Sequence, residues 1–188
     1  MLAGGGSSRF GRDKLSEPYR GIPLLQHAIG RVAEVCDEVV VVTAPGVVPL
    51  LPGDARVRTA RDATGGEGPL AGAYAGLLAV RSDLALLVGG DMPDLQVPVL
   101  LEMVRAVEGS VAGAVVLREG GGLRPLPSVL RAGPALEVVH SLLHAGERRL
   151  RALFAALDVV EIDETVWTAL DPEHRTIFDV DEPGDLER

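Results

Sequence analysis

The sequence predicts an α/β fold, a single domain over 1–188 whose doubly wound, mostly parallel sheet carries helices on both faces. Three observations predict it. Short β-branched or apolar runs alternate with stretches of 3.6-residue periodicity along the chain, the order left by β–α–β units with right-handed crossovers. The 188 residues are 47% hydrophobic but only 3% aromatic, so leucine, valine and alanine carry the burial, as in helices covering a buried parallel sheet. A chain of this length suits one domain that removes roughly 70% of its unfolded surface from water. Neither an internal repeat nor a low-complexity linker marks a boundary.

Only Met1 and Leu2 precede a glycine-rich loop, whereas a strand of such a sheet normally takes about five residues. The first strand is therefore expected to be truncated, with a few residues of the natural protein standing ahead of Met1. Leu24, Leu25, Ala28, Ile29, Val32 and Val35 then predict a helix over 23–35, which Pro23 suits as a starting residue. The β-branched run 38–43 reads as a buried strand, 44–54 as a Pro/Gly-punctuated stretch with a poorly formed helical turn, and 56–60 as a short strand. A helix is expected from about 69 to 78. Its small residues suit either close approach to a ligand or tight packing on the sheet. Strands are expected at 84–88 and 112–117, flanking a helix at 97–107. A flexible loop or hairpin turn at 119–122 leads into an extended segment at 123–130. Helices at 134–145 and 147–156 and a strand at 158–162 follow.

Composition excludes several functions. A formal net charge of −9 argues against nucleic acid as a partner, because that affinity comes from clustered Lys and Arg. No apolar stretch is long enough to span a bilayer and the start lacks a signal-peptide layout, so the expectation is a cytoplasmic protein with no membrane partner. Cys36 stands alone, and no Cys or His spacing fits zinc. His27, His140, His144 and His174 show no spacing with a nucleophile and read as helix-surface or structural residues.

The opening segment carries a different message. Gly4, Gly5 and Gly6 are followed by two serines, then Arg9 and Lys14, the only lysine in the chain. Glycines let backbone N–H groups approach phosphate oxygens and the cations neutralise the charge, so this is a loop suited to a polyphosphate, though it fits neither a Walker A pattern nor a Rossmann one. Asp91 follows an apolar run and Gly89-Gly90, which delivers a carboxylate beyond a strand's carboxyl end, where ligands of open α/β sheets gather. With a second carboxylate it could hold a metal-nucleotide. Its other reading is as a helix cap, a place that Asp94 or Gln96 suits better. Asp179 and Asp181 alternate on an extended segment, so one of them can face that metal. They can equally open a final helix at Pro183.

Five segments in order, namely Leu2 to Lys14, Gly68-Pro69-Leu70-Ala71-Gly72, Val88-Gly89-Gly90-Asp91-Met92-Pro93, Arg124-Pro125-Leu126 and the ending Asp179-Val180-Asp181-Glu182-Pro183, resemble the MobA-type molybdenum cofactor guanylyltransferases. Ala145-Gly146-Glu147-Arg148-Arg149 is similar to a late-helix segment of the same family. The resemblance implies a Rossmann-like fold of nucleotidyltransferase type. The implied reaction moves GMP from Mg·GTP to the phosphate of molybdopterin, with Mg²⁺ as cofactor and pyrophosphate as the second product.

It also implies site residues. Arg9, Lys14 and Asp91 would be catalytic, and Asp91 with Asp181 would hold the metal. Leu2, Ala3, Gly4, Gly5, Gly6, Lys14, Thr43, Asp62, Gly68, Pro69, Leu70, Gly72 and Asp91 would bind the nucleotide. Asp62 can accept from the guanine N1 and N2 donors, or can be an ordinary turn residue. Thr43 stands where the family has Asn. Glu147-Arg148-Arg149 would bind the acceptor's phosphate or form a solvated face. Transient contact with molybdoenzymes or their chaperones is implied as well. Asp179-Val180-Asp181, where guanylyltransferases carry Asn-x-Asn, is similar instead to the cytidylyltransferases. A molybdopterin cytidylyltransferase, another small-phosphate nucleotidyltransferase and a non-catalytic nucleotide-binding regulator therefore remain alternatives.

Overall fold

A computed structural model describes residues 1–4, 13–62 and 68–187. A short hairpin, β1 (Pro18–Tyr19) and β2 (Ile22–Pro23), leads into α1 (Leu24–Ala33), whose buried positions Leu24, Leu25, Ala28, Ile29 and Val32 form the stripe expected from the spacing. Next come β3 (Val39–Thr43), β4 (Val57–Arg61), α2 (Pro69–Ala79), β5 (Leu84–Leu87) and α3 (Val97–Glu108). The second half supplies β6 (Ala114–Glu119), β7 (Gly122–Arg131), α4 (Ala132–His144), α5 (Arg151–Ala156), β8 (Val159–Ile162) and α6 (Glu164–Leu170).

β3 and β4 pair in parallel, and Leu2 bridges in parallel to Val42 on one side and to Gly89 on the other. Beyond β5 the order continues β7, β6, β8. β7 is antiparallel to both neighbours, while β6 and β8 are parallel. Among the described strands of this sheet, β7 alone runs against the rest. It does so because Gly120 and Gly121, at φ 54° and 77°, close a two-residue hairpin with β6, a turn that needs positive φ at both central residues. The register slips between Val116 and Leu117, opposite the stretch holding Pro125 and Pro127, which cannot donate to a ladder.

The sheet is covered on two faces. Val115 and Leu117 of β6 join a core with α1, α3 and Trp167 of α6, while Ala114 and Val116 join another with α2, α4 and α5. Small residues of α2 serve packing: a methyl on Gly72 would lie 3.2 Å from Leu2, and one on Gly76 would lie 3.2 Å from Val42. An apolar cavity of about 220 Å³ lies between the beginnings of β3 and β5, with Met1 and Leu2 in its lining.

Several expectations need correction. No helical turn forms in 44–54, where three prolines and two glycines stand. α5 starts at Arg151, because Gly146 at φ 83° ends α4 and the Glu147 carboxylate takes the amides of Arg148 and Arg149 in a loop. Neither Asp94 nor Gln96 caps α3 with its side chain. The Asp94 carboxylate instead accepts from Tyr19 and Arg20. α6, capped by Asp163, was not expected, being too short for periodicity to reveal. The chain's end is the 3₁₀ segment Pro183–Glu187 and not an α-helix.

Candidate active site

The segment that follows β5 and the chain's last segment meet at one nitrogen. Asp13 caps the 3₁₀ turn Lys14–Ser16 by accepting from the Leu15 amide, which sets the direction of the Lys14 side chain. Lys14 Nζ donates to Asp91 Oδ2 at 2.8 Å and to the Val180 carbonyl at 2.7 Å, and lies 3.8 Å from Asp181 Oδ1. The ammonium is largely buried and the Asp91 carboxylate half-buried, so their attraction is screened less than that of a surface pair.

Glycine makes room for this. A methyl on Gly89 would stand 2.3 Å from Asp91 Oδ1, and one on Gly90 would stand 3.0 Å from Leu25 and 3.3 Å from the Leu2 carbonyl. The tail is fixed by the Val180 amide, which donates to the Asp91 carbonyl at 2.9 Å, and by burial of Val180 beside Tyr19 and Leu24.

Asp179 completes a group of three carboxylates. Partial burial, then the charges of Asp181 and Asp91, push its carboxyl above the usual value, against the pull of Arg124.

Beside Asp91 opens a cleft of about 410 Å³. Leu2 and Gly4 form its floor, Thr43 and Asp62 one wall, and Gly68, Pro69 and Gly72 another, with Leu126 of β7 at the edge. The Asp62 amide donates to the Thr43 carbonyl at 3.0 Å, which carries the chain from β4 into the cleft. Gly68, at φ 92°, is pressed so closely on the Arg148 carbonyl that a methyl would stand 2.9 Å away. That carbonyl also accepts from Leu70 at 3.3 Å, bringing the 147–149 loop to the cleft's rim. There the Arg149 guanidinium and two amides hold the Glu147 carboxyl down to about 2.

Leu2, Gly4, Thr43, Asp62, Gly68, Pro69, Gly72 and Asp91 are therefore brought together, with Lys14 and Asp181 beside Asp91. Ala3 is buried next to the cleft, hydrogen-bonded to Val42. The Leu70 side chain lies in the core. Gly5, Gly6 and Arg9 lie outside the described residues. The sequence reading missed Leu126 as a cleft residue and the Val180 carbonyl as an acceptor for Lys14. No local signal in the sequence marked the latter, since side-chain spacing does not tell where a backbone carbonyl points. His27 bonds the Tyr19 carbonyl, His174 packs edge-on against Trp167, and His140 and His144 meet edge to face on α4, all away from this cleft.

Among the described residues no three His, Cys, Asp or Glu side chains close on one point. The donor set that does converge, two carboxylates of hard oxygen beside a cleft, is what Mg²⁺ takes when substrate phosphates and water supply the remaining positions.

A family model for the MobA-like NTP transferase domain matches residues 1–162. The chain belongs to that family. MobA-like transferases are nucleotidyltransferases, and so is this chain. A relative from Chloroflexus aggregans, named probable molybdenum cofactor guanylyltransferase, is 33% identical over 99% of this chain and 89% of its own length. One from Mycobacterium tuberculosis with the same name is 37% identical over 86% of this chain and 81% of its own. In fold, the chain is similar to the molybdopterin-guanine dinucleotide biosynthesis protein A of Archaeoglobus fulgidus (TM-score 0.74, 21% identity, 100% and 93% of the two chains). It is also similar to the 2-C-methyl-D-erythritol 4-phosphate cytidylyltransferase of Thermus thermophilus (TM-score 0.70, 19% identity, 99% and 93%).

Proposed function

We propose that residues 1–188 act as one cytoplasmic nucleotidyltransferase domain that moves GMP from Mg·GTP to the phosphate of molybdopterin. The observation that carries this reading is the Lys14–Asp91–Asp181 cluster at the mouth of a glycine-walled cleft whose far wall holds Asp62. The names of the Chloroflexus and Mycobacterium relatives support the guanylyl and molybdopterin parts.

An acceptor phosphate oxygen bonds to the α-phosphorus as the bond to the β-phosphate oxygen breaks, and the electron pair leaves on pyrophosphate. No covalent enzyme intermediate and no redox partner is required. What the chain must supply is alignment and positive charge where negative charge grows. Asp62 accepts from the guanine edge, an arrangement that cytosine does not match. Gly68 to Gly72 and Leu2 to Gly4 bring backbone within reach of ribose and phosphate. Lys14 holds the phosphates and eases pyrophosphate departure, in the role expected also of Arg9. Asp91 and Asp181 are the residues that would hold Mg²⁺, which when bound supplies charge neutralisation and Lewis acidity.

A second reading rests on Asp179-Val180-Asp181 and on the cytidylyltransferase neighbour, and would make CTP the donor. Equilibrium binding of GTP and CTP with Mg²⁺, together with pyrophosphate release in the presence of molybdopterin, tests both. Tighter GTP binding and GTP-dependent release are expected. Preference for CTP would transfer the assignment to the second reading, and absence of release with either would remove the enzyme reading.

A further inference from the structure

On the other side of the carboxylates lies a second, strongly charged cleft of about 650 Å³. Its wall holds three arginines, Arg20, Arg124 and Arg175, and four carboxylates, Asp94, Glu119, Glu173 and Asp179. Arg124 and Leu126 are two residues apart on β7. Leu126 and Asp91 line the nucleotide cleft and Arg124 and Asp179 the charged one, which places the two clefts side by side.

The three guanidiniums of the charged cleft are not equivalent. Arg20 donates twice to Asp94, at 3.1 and 3.2 Å, and lies over the Tyr19 ring. Arg175 donates to Glu173. Arg124 has an ion pair with Glu119 but no hydrogen bond to a carboxylate. Its Nη2 donates to the Ile177 carbonyl at 2.7 Å, its Nε is buried without a hydrogen-bond partner at 3.5 Å from Glu119, and its Nη1 makes no hydrogen bond to a described residue. An arginine held in direction by a carbonyl yet lacking a bidentate anion is matched to a phosphate brought from outside.

Backbone strain points to the same place. Arg20 at φ 47° and His174 at φ 54° are the non-glycine residues with positive φ among those described, and both line this cleft. Such conformations persist where surrounding structure forces them, and they gather at ligand sites.

We infer that the charged cleft receives the acceptor substrate, and that Arg124 grips the phosphate monoester that attacks the nucleotide. This rests on the nucleotidyl-transfer reading above. The acceptor dianion has to enter beside Asp91, Asp179 and Asp181, and Arg124 is the cation positioned to offset that repulsion. Arg124 forms no bond during transfer: it binds and orients the attacking oxygen, while donor binding belongs to the cleft next door.

The test separates the two substrates. Molybdopterin binding is measured without nucleotide, by equilibrium dialysis and detection as its oxidised fluorescent derivative. Nucleotide binding is measured with a fluorescent GTP analogue and Mg²⁺. Arg124→Ala and Arg124→Gln are expected to weaken molybdopterin roughly 10- to 100-fold, to leave nucleotide affinity within about twofold, and to raise KM for molybdopterin alone. Arg124→Lys recovers part of the loss, which a packing role would not predict. Unchanged molybdopterin affinity in a folded Arg124→Gln overturns the inference, and so does an equal loss for both ligands. Arg124-dependent molybdopterin binding with transfer from CTP upholds this inference while the guanylyl reading falls. Transfer of GMP untouched by Arg124→Gln does the reverse.

Discussion

Lys14 joins residues 77 and 166 positions away through one ammonium group. Lys14→Ala and Asp91→Ala are each expected to keep the fold, since neither side chain is part of a core, yet to lose at least about 100-fold in turnover, the usual consequence of removing one electrostatic partner of a transition state. Circular dichroism beside a pyrophosphate assay checks this, and near-normal turnover by either variant contradicts its role. Asp179 predicts a pH effect. Its raised carboxyl keeps a proton in the folded state that the unfolded chain has released, so stability falls as pH rises from the ordinary value of 3.8 through the raised one. Asp179→Asn should therefore melt higher than the parent at neutral pH, with the gap closing as pH falls toward that ordinary value. A gap independent of pH would exclude the effect. At this scale the charged members of the site could be read in advance because glycines and spaced charges form a local pattern around Lys14, Asp91 and Gly68. Leu126 could not, because only the pairing of β7 beside β5 brings it to the cleft.

The elements show the same division. α1, α2 and α3 appear within two residues of where their apolar spacing and prolines place them, because those signals are local. The insertion of β7 between β5 and β6 could not be read, since alternation reveals an extended segment but not its direction or neighbours. At its end, β7 also secures α3. Arg131 donates to the carbonyls of Val107 and Ser110 at 2.8 Å and of Ala112 at 3.1 Å, closing the helix's C-terminal end with a cation where the dipole favours one. Arg131→Met keeps the stem and strands those carbonyls. A loss of about 2 kcal/mol or more is expected in urea unfolding. A loss below about 0.5 kcal/mol, typical of an ordinary surface change, would show the capping to be idle.

For the whole molecule, the net charge is −9, so on the proposed function polyanion binding depends on cations gathered locally. A ligand that binds only the folded chain stabilises it by about 2.7 kcal/mol at a hundred times its Kd, which in a chain of this size raises Tm by roughly 5–10 °C. Mg·GTP should produce such a rise in the parent and little in Lys14→Ala. Thermal melts that do not move with Mg·GTP at millimolar concentration would count against the nucleotide cleft.

The bond from Lys14 to the Val180 carbonyl has one more consequence. The far end of the polypeptide is fastened to the same nitrogen that the proposed function assigns to the phosphates, and Val180 is tied back to the main chain at Asp91. When that nitrogen turns toward phosphate, residues 179–187 give up an anchor, whereas the sheet loses nothing. On the proposed function, proteolysis after Glu182 is expected to quicken when Mg·GTP is bound.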